Sequence, residues 1–315
     1  MAFRSKSRGG PAVIGRLIDH HVGKDALLEV RDWKELPDGV YPWTFLAPSG
    51  PIAATRCGNP DWPMIIMLPG LTGSKEDFHL MMPIFAQHGY QSVSFDLAGQ
   101  YQSAGDRLFA QREYDWDLFR EDLDALLDLT GPAHLIGLSF GGQVAALSAI
   151  GRPQDVLSLT LLSSPPTHGN VFAKVKYTAG IGKFFHPRFL GYIFPPALWF
   201  NFNRADKGRA DFVRHRLNFH NRKSVRDVFE LMMDSPEIAS DLAASGVPTM
   251  IATGTNDLWK ETLHKEFADA VGGQAHFYRT GHSPCETTPN QLCRDMMSLF
   301  KEANQQENNR GAAAA

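Results

Sequence analysis

The stretch His134-Leu-Ile-Gly-Leu-Ser-Phe-Gly-Gly-Gln-Val-Ala-Ala-Leu147 decides the fold. His134 to Leu138 is mostly apolar and reads as a strand buried on both faces, whereas Gly142 to Leu147 is a run of small residues that reads as a helix. Between them, Gly137-Leu-Ser-Phe-Gly141 fits the pattern G-x-S-x-G. A strained turn at that point lifts the Ser139 hydroxyl clear of the sheet, and glycines on either side let neighbouring backbone approach without a Cβ clash. In a chain with 28 glycines among 315 residues the five-residue pattern alone is weak, and a competing reading is a Gly-rich turn whose serine caps the helix. Its weight comes from its place between strand and helix.

Working outward, short β-rich runs alternate with longer helical ones, the pattern of a mostly parallel sheet with crossover helices. Met64 to Leu68 holds no polar residue and is bounded by Pro63 and Pro69. Gln91–Phe95, Leu157–Leu162, Thr249–Thr253 and Ala275–Tyr278 follow the same logic. Helical spacing recurs in Trp116, Phe119, Leu123, Leu126 and Leu127, and again in Leu292, Met296, Leu299 and Phe300 after the start signal Thr288-Pro289. From Thr167 to about Ala239 the alternation breaks, with no clear buried strand. A segment of that length does not stay structureless inside a compact domain, so it reads as a helical insertion between two strands. The expected organisation is therefore an N-terminal arm over 1–40, a core over 41–166 and 240–304, a helical cap over 167–239 and a disordered tail over 305–315.

The chain carries 43% hydrophobic and 21% charged residues with a net charge of -3, which excludes a fibrous or disordered protein and predicts no nucleic-acid partner. Cys57, Cys285 and Cys293 lack the spacing of a disulfide framework or a metal site and read as reduced thiols. No metal and no organic cofactor are implied. The apolar run after the basic residues Arg4, Lys6 and Arg8 is too short for a signal peptide, and no run approaches the roughly 20 apolar residues that span a bilayer. A cytoplasmic protein without stable membrane insertion is the expectation. Composition says nothing of oligomeric state.

With these motifs in place, the stretch from about Pro51 to Lys301 resembles the α/β-hydrolase superfamily: a mostly parallel central sheet flanked by helices. The resemblance implies that Pro69-Gly-Leu-Thr-Gly-Ser74, after the first buried strand, is the oxyanion loop, with the backbone N–H groups of Leu71 and Phe140 aimed at the developing oxyanion. Pro69 departs from the usual His of that loop. Asp96-Leu-Ala-Gly99 resembles a segment that is mainly structural in the family, so Asp96 is not nominated as the acid. Asp257, in Gly254-Thr-Asn-Asp257 after the penultimate strand, falls where the family places its triad acid; the competing reading is a cap for the helix near Lys260. His282 occupies the slot of the catalytic histidine after the last strand. The chain has 12 histidines, but only this one lies there. The order Ser139, Asp257, His282 is that of α/β-hydrolases. Glu286, on the same loop, resembles a residue often found there and reads as structural.

The family resemblance implies a serine hydrolase that cleaves a carboxylic ester of a small, largely apolar substrate through an acyl-enzyme, as a carboxylesterase does. Other chemistry with the same triad (C–C bond, thioester or lactone hydrolysis, acyl transfer or a perhydrolase reaction) and a non-catalytic ligand receptor are the rival readings. Dehalogenases and epoxide hydrolases carry Asp where Ser139 stands. The insertion holds ten aromatic residues from Phe172 to Phe202 and nine Lys or Arg residues from Lys174 to Arg216. The rings suit an apolar lid or the cap's own core, and the charges suit an anionic substrate or merely a solvated helix face.

Overall fold

The computed structural model describes residues 19–28, 32–104, 113–176 and 207–314. Its centre is one sheet of eight strands: β1 (Val40–Ala47), β2 (Gly50–Cys57), β3 (Met64–Leu68), β4 (Gln91–Phe95), β5 (Ala133–Leu138), β6 (Val156–Leu162), β7 (Thr249–Gly254) and β8 (Gln274–Tyr278). They lie in the order β1-β2-β4-β3-β5-β6-β7-β8. The six strands read from the sequence form the parallel part. β1 and β2 pair antiparallel with each other, and β2 pairs antiparallel with β4. Sequence reading did not separate this hairpin. β1 alternates exposed and buried positions irregularly and contains Pro42, which only an edge strand tolerates.

Every residue of β3 is buried, yet the strand serves two cores. Ile66 and Leu68 join the layer formed by helices α3 (Trp116–Thr130) and α4 (Phe140–Gly151), with Phe119, Leu123, Phe140 and Val144. Ile65 and Met67 join the opposite layer, where α2 (Met82–Gln87) supplies Met82 and Phe85. A strand covered on both faces favours apolar residues on both, which is why β3 reads as an unbroken apolar run, while β4 to β6 admit only a few buried polar residues such as Ser94, His134 and Ser158.

Helices α5 (Lys207–Leu217), α6 (Arg222–Met233) and α7 (Ala239–Ser245) lie between β6 and β7, preceded by a 3-10 turn Val171–Lys174. The described part of 167–239 holds no strand, only an isolated bridge between Gly169 and Ser235. The aromatic residues from Tyr177 to Phe202, together with Lys183, Arg188 and Arg204, lie outside the described residues. Helices α8 (Glu261–Ala270), α9 (Pro284–Thr287) and α10 (Pro289–Ala314) complete the chain. No described helix is long and apolar enough to cross a membrane.

The described part of the N-terminal arm is docked: in α1 (His20–Asp25), the Asp25 carboxylate accepts the backbone N–H groups of Asn290 (2.8 Å) and Gln291 (3.1 Å), two of the donors that α10 cannot satisfy internally. Asp19 pairs with Arg294. At the other end α10 runs through 305–314, the stretch that composition assigned to a disordered tail; its Gln, Glu and Ala residues are good helix formers and no proline interrupts them.

One core residue makes stability depend on pH. His134 of β5 is fully buried, bonds Ser158 Oγ through Nδ1 at 2.9 Å and stacks on Phe300 with centroids 4.1 Å apart. Burial pushes its imidazole down to about 3. The unfolded chain therefore binds a proton below the ordinary value of about 6.5 that the folded chain refuses. This contribution is complete above that pH and is lost as pH falls toward 3, at about 1.4 kcal/mol per pH unit. Urea unfolding between pH 7 and 4 should show His134→Leu losing less stability on acidification than wild type; parallel curves would count against a neutral buried His134.

Candidate active site

Three sequence-predicted residues stand at the carboxyl edge of this sheet, after β5, β7 and β8. At the end of β5 the backbone turns into α4 through Ser139 at φ 52°, ψ -117°, one of four non-glycine residues with positive φ among those described. Such a conformation costs about 1–3 kcal/mol and persists only where packing enforces it. The enforcement is visible: a Cβ on Gly137 would lie 2.4 Å from Gly142 Cα, and one on Gly141 would lie 2.4 Å from Pro69 O. The Ser139 N–H donates to Leu162 O at 2.9 Å, and Ser164 Oγ donates to Ser139 O at 3.0 Å. Ser139 occupies the N-cap position of α4, yet its side chain makes no capping bond. The hydroxyl is thus not spent on the helix. Phe140, the first residue of α4, has an N–H that no intrahelical carbonyl can reach.

The loop after β3 backs onto this turn. A Cβ on Gly70 would sit 3.0 Å from Ser139 Cβ, so the loop that carries Leu71 touches the serine. Pro69 does not leave the loop unsupported, because other groups hold it. Thr72, at φ 59°, donates its N–H to Gln100 Oε1 at 2.8 Å, and Gly73 N–H closes on Gly70 O at 2.9 Å. Ser74 N–H donates to Asp77 Oδ2 at 3.2 Å. Asp96 accepts Lys75 N–H (2.8 Å) and Lys75 Nζ (3.1 Å). Burial outweighs the neighbouring Lys75 charge and raises the Asp96 carboxyl to about 7. Gln100 carries no sequence signal that could have found it.

Asp257 lies in the turn after β7 and is fully buried. Its carboxylate does not cap α8, whose N-cap is Lys260 without a side-chain bond. Instead His282 Nδ1–H donates to Oδ1 at 2.5 Å, while Thr253 Oγ1–H (2.9 Å) and His264 Nε2–H (3.2 Å) donate to Oδ2. Burial works against its charge, but the His282 charge and the hydrogen bonds from His264 and His282 outweigh it and hold the carboxyl well below the usual carboxylate range. The His282 loop reaches Asp257 because Thr255 and Asn256 donate their N–H groups to Tyr278 O (2.8 Å) and Thr280 O (3.0 Å). Two strand spacings, about 10 Å, separate the ends of β5 and β7. Asp257 and His282 are thus in contact, with Ser139 on the same edge.

A buried charge cluster joins the flanking loops to α5. Arg209 donates to Asp77 at 2.7 Å and to Glu286 at 2.5 Å, and Arg216 donates to Asp77 at 2.5 Å and to Ser74 Oγ at 3.0 Å. The Arg209 guanidinium also lies 4.6 Å over the Trp33 ring. Asp77 follows the Gly70 loop and Glu286 follows His282, so one arginine of the insertion ties both loops together. Burial raises the Glu286 carboxyl while Arg209 opposes the rise. Glu286, read as structural from the sequence, is part of this tie; its partners 77 residues and more away left no local trace.

Residues 65–295 match the profile of a family described as the alpha/beta hydrolase family. No curated protein matches the chain. Among solved structures it is similar to a carboxylesterase of the ammonia-oxidizing thaumarchaeon Nitrososphaera gargenis, with 17% identity and a TM-score of 0.67 over 84% of this chain and 100% of the other. It is also similar to the enol-lactonase of Burkholderia xenovorans, with 15% identity and a TM-score of 0.66 over 82% and 100%. A third is the thioesterase domain of the curacin biosynthetic pathway, with 14% identity and a TM-score of 0.63 over 84% and 99%. At these identities the likeness is one of fold.

Removing one member of the buried cluster strands the others. Arg209→Met takes away the guanidinium that pairs with Glu286 and one of the two that pair with Asp77, and should destabilise the protein by about 3–5 kcal/mol, the range for breaking one side of a buried ion pair. The midpoint of chemical unfolding measures it, and a loss under about 1 kcal/mol, the scale of a surface pair, would mean that the cluster is solvated.

Proposed function

Because the chain belongs to the alpha/beta hydrolase family, we propose that it is a serine hydrolase that cleaves a carboxylic ester of a small, largely apolar substrate. Ser139 is the nucleophile, His282 the general base and Asp257 the orienting acid. The observation that carries this reading is the 2.5 Å bond from His282 to a buried, ionised carboxylate, on the sheet edge where Ser139 is held in a strained turn.

The steps follow from these groups. The Ser139 hydroxyl attacks the ester carbonyl while His282 Nε2 removes its proton, and Asp257 stabilises the imidazolium that forms. Because the Asp257 carboxyl stays far below its ordinary value, it remains ionised as that positive charge appears. The oxyanion is met by the N–H groups of Leu71 and Phe140, the latter at the positive end of α4. His282 returns its proton to the leaving alcohol. Water, deprotonated by the same imidazole, then attacks the acyl-enzyme, the bond to Ser139 Oγ breaks as His282 returns the proton to that oxygen, and the acid is freed. The insertion 167–239 is assigned as the cap of this reading, and its aromatic-rich composition suits an apolar acyl or alcohol group.

A second reading keeps the triad and changes the electrophile to a thioester or a lactone, as in the thioesterase domain and the enol-lactonase that share the fold. Acyl chemistry is common to all three, so they separate by substrate alone. A chain-length series of chromogenic esters, run beside thioesters and lactones, should show the highest kcat/KM on a short or medium ester. Highest efficiency on a thioester or lactone would move the assignment.

The triad is tested directly. A fluorophosphonate probe should label wild type and leave Ser139→Ala unlabelled, and a folded wild type that resists labelling would sink the hydrolase reading. Asp257→Asn should lower kcat by about 10⁴-fold, the loss expected when the histidine takes the wrong tautomer. Near-normal turnover would place the acid elsewhere.

A further inference from the structure

Asp257 serves two histidines. His282 takes Oδ1 from the loop after β8, and His264 takes Oδ2 from the first turn of α8, where Thr253 Oγ1 at the end of β7 shares the same oxygen. His264 is 1% exposed, so its ring has no exchange with solvent to keep it in place. Trp259 packs near both imidazoles, its ring centroid 6.3 Å from His264 and 6.0 Å from His282. That indole is itself fixed, donating Nε1–H to Val171 O at 2.8 Å. The carboxylate is therefore clamped on both oxygens by three donors from three elements, beside an indole held by its own hydrogen bond.

From this arrangement we infer that His264 is a positioning residue of the site, acting on His282 through Asp257. A carboxylate with one oxygen free to rotate offers His282 a range of directions. Two donors on Oδ2 remove that freedom, so Oδ1 points one way and the imidazole that leans on it faces Ser139. Bonds to an ionised acceptor are about twice as strong as neutral ones, which makes the His264 contact a substantial share of the clamp. The donors also draw charge toward Oδ2 and temper the pull of Oδ1 on the His282 proton. An apolar residue of similar volume would fill the space but would leave Oδ2 to Thr253 alone.

The kinetic part of the inference rests on the triad proposed above, whereas its spectroscopic part is read on the resting protein without substrate. His264→Gln keeps an N–H at about the reach of Nε2, and His264→Met matches its length without a donor; His264→Leu replaces the latter should it not fold. In the Met variant, kcat should fall about 10- to 100-fold, the range for losing an orienting outer contact, with KM nearly unchanged. The low-field proton resonance of the His282–Asp257 bond should shift or broaden. The Gln variant should recover most of both. A Met variant with wild-type kcat and resonance overturns the inference, and so does a Gln variant as impaired as the Met variant. If wild type takes no fluorophosphonate, the hydrolase reading fails by itself, and the resonance comparison still decides whether His264 acts on His282.

Discussion

The passage of the chain from β5 to α4 through Ser139 at φ 52° constrains everything around it. A non-glycine residue holds that conformation only if its surroundings forbid relaxation, and here they do so by contact. Gly137, Gly141 and Gly142 let the turn fold onto itself, and the carbonyl of Pro69 closes on Gly141. Gly70 then lies against the serine side chain. The same close approach that strains the serine thus delivers the Leu71 loop to it, and the start of α4 arrives on the other side. The turn at Ser139 and the Gly70 loop are one packing problem with one solution.

A second layer of organisation is electrostatic and lies out of sight of solvent. Asp77, Glu286, Arg209 and Arg216 are brought out of water together, a step whose desolvation cost the mutual attraction only roughly repays. Such a cluster is a poor source of stability and a good source of geometry, because guanidinium and carboxylate groups accept few alternative arrangements. It connects the residue after the Gly70 loop, the residue after the His282 loop and a helix of the insertion. Trp33 covers Arg209 from the N-terminal side. The arm and the insertion therefore bear on the same loops that carry the proposed chemistry.

Much of this was legible in the chain itself. The parallel strands β3 to β8 announced themselves as short runs rich in apolar or β-branched residues, most clearly in β3, which is buried along its whole length, and that pattern is local. The β1–β2 hairpin stayed hidden because the pattern of β1 is irregular. At the site, Ser139, Asp257 and His282 were singled out by position relative to strand ends, and the structure puts Asp257 and His282 in contact. Of 12 histidines, His264 gave no sign of its place beside Asp257, since a helical histidine seven residues past an aspartate has many uses.

What the sequence by itself determined is the order of the parallel strands along the chain, the glycine-flanked turn at Ser139 and the places of Asp257 and His282 after the last two strands, all written in runs of a dozen residues or fewer. Only the tertiary structure decided which side chains hold those pieces in register. Arg209 meets Asp77 across 132 positions, Asp25 meets Asn290 across 265, and Gln100 meets Thr72 across 28. Polar pairs of this kind obey no periodicity. They are selected by where the folded backbone leaves a buried donor or acceptor without water, and that accounting exists only once the chain is folded.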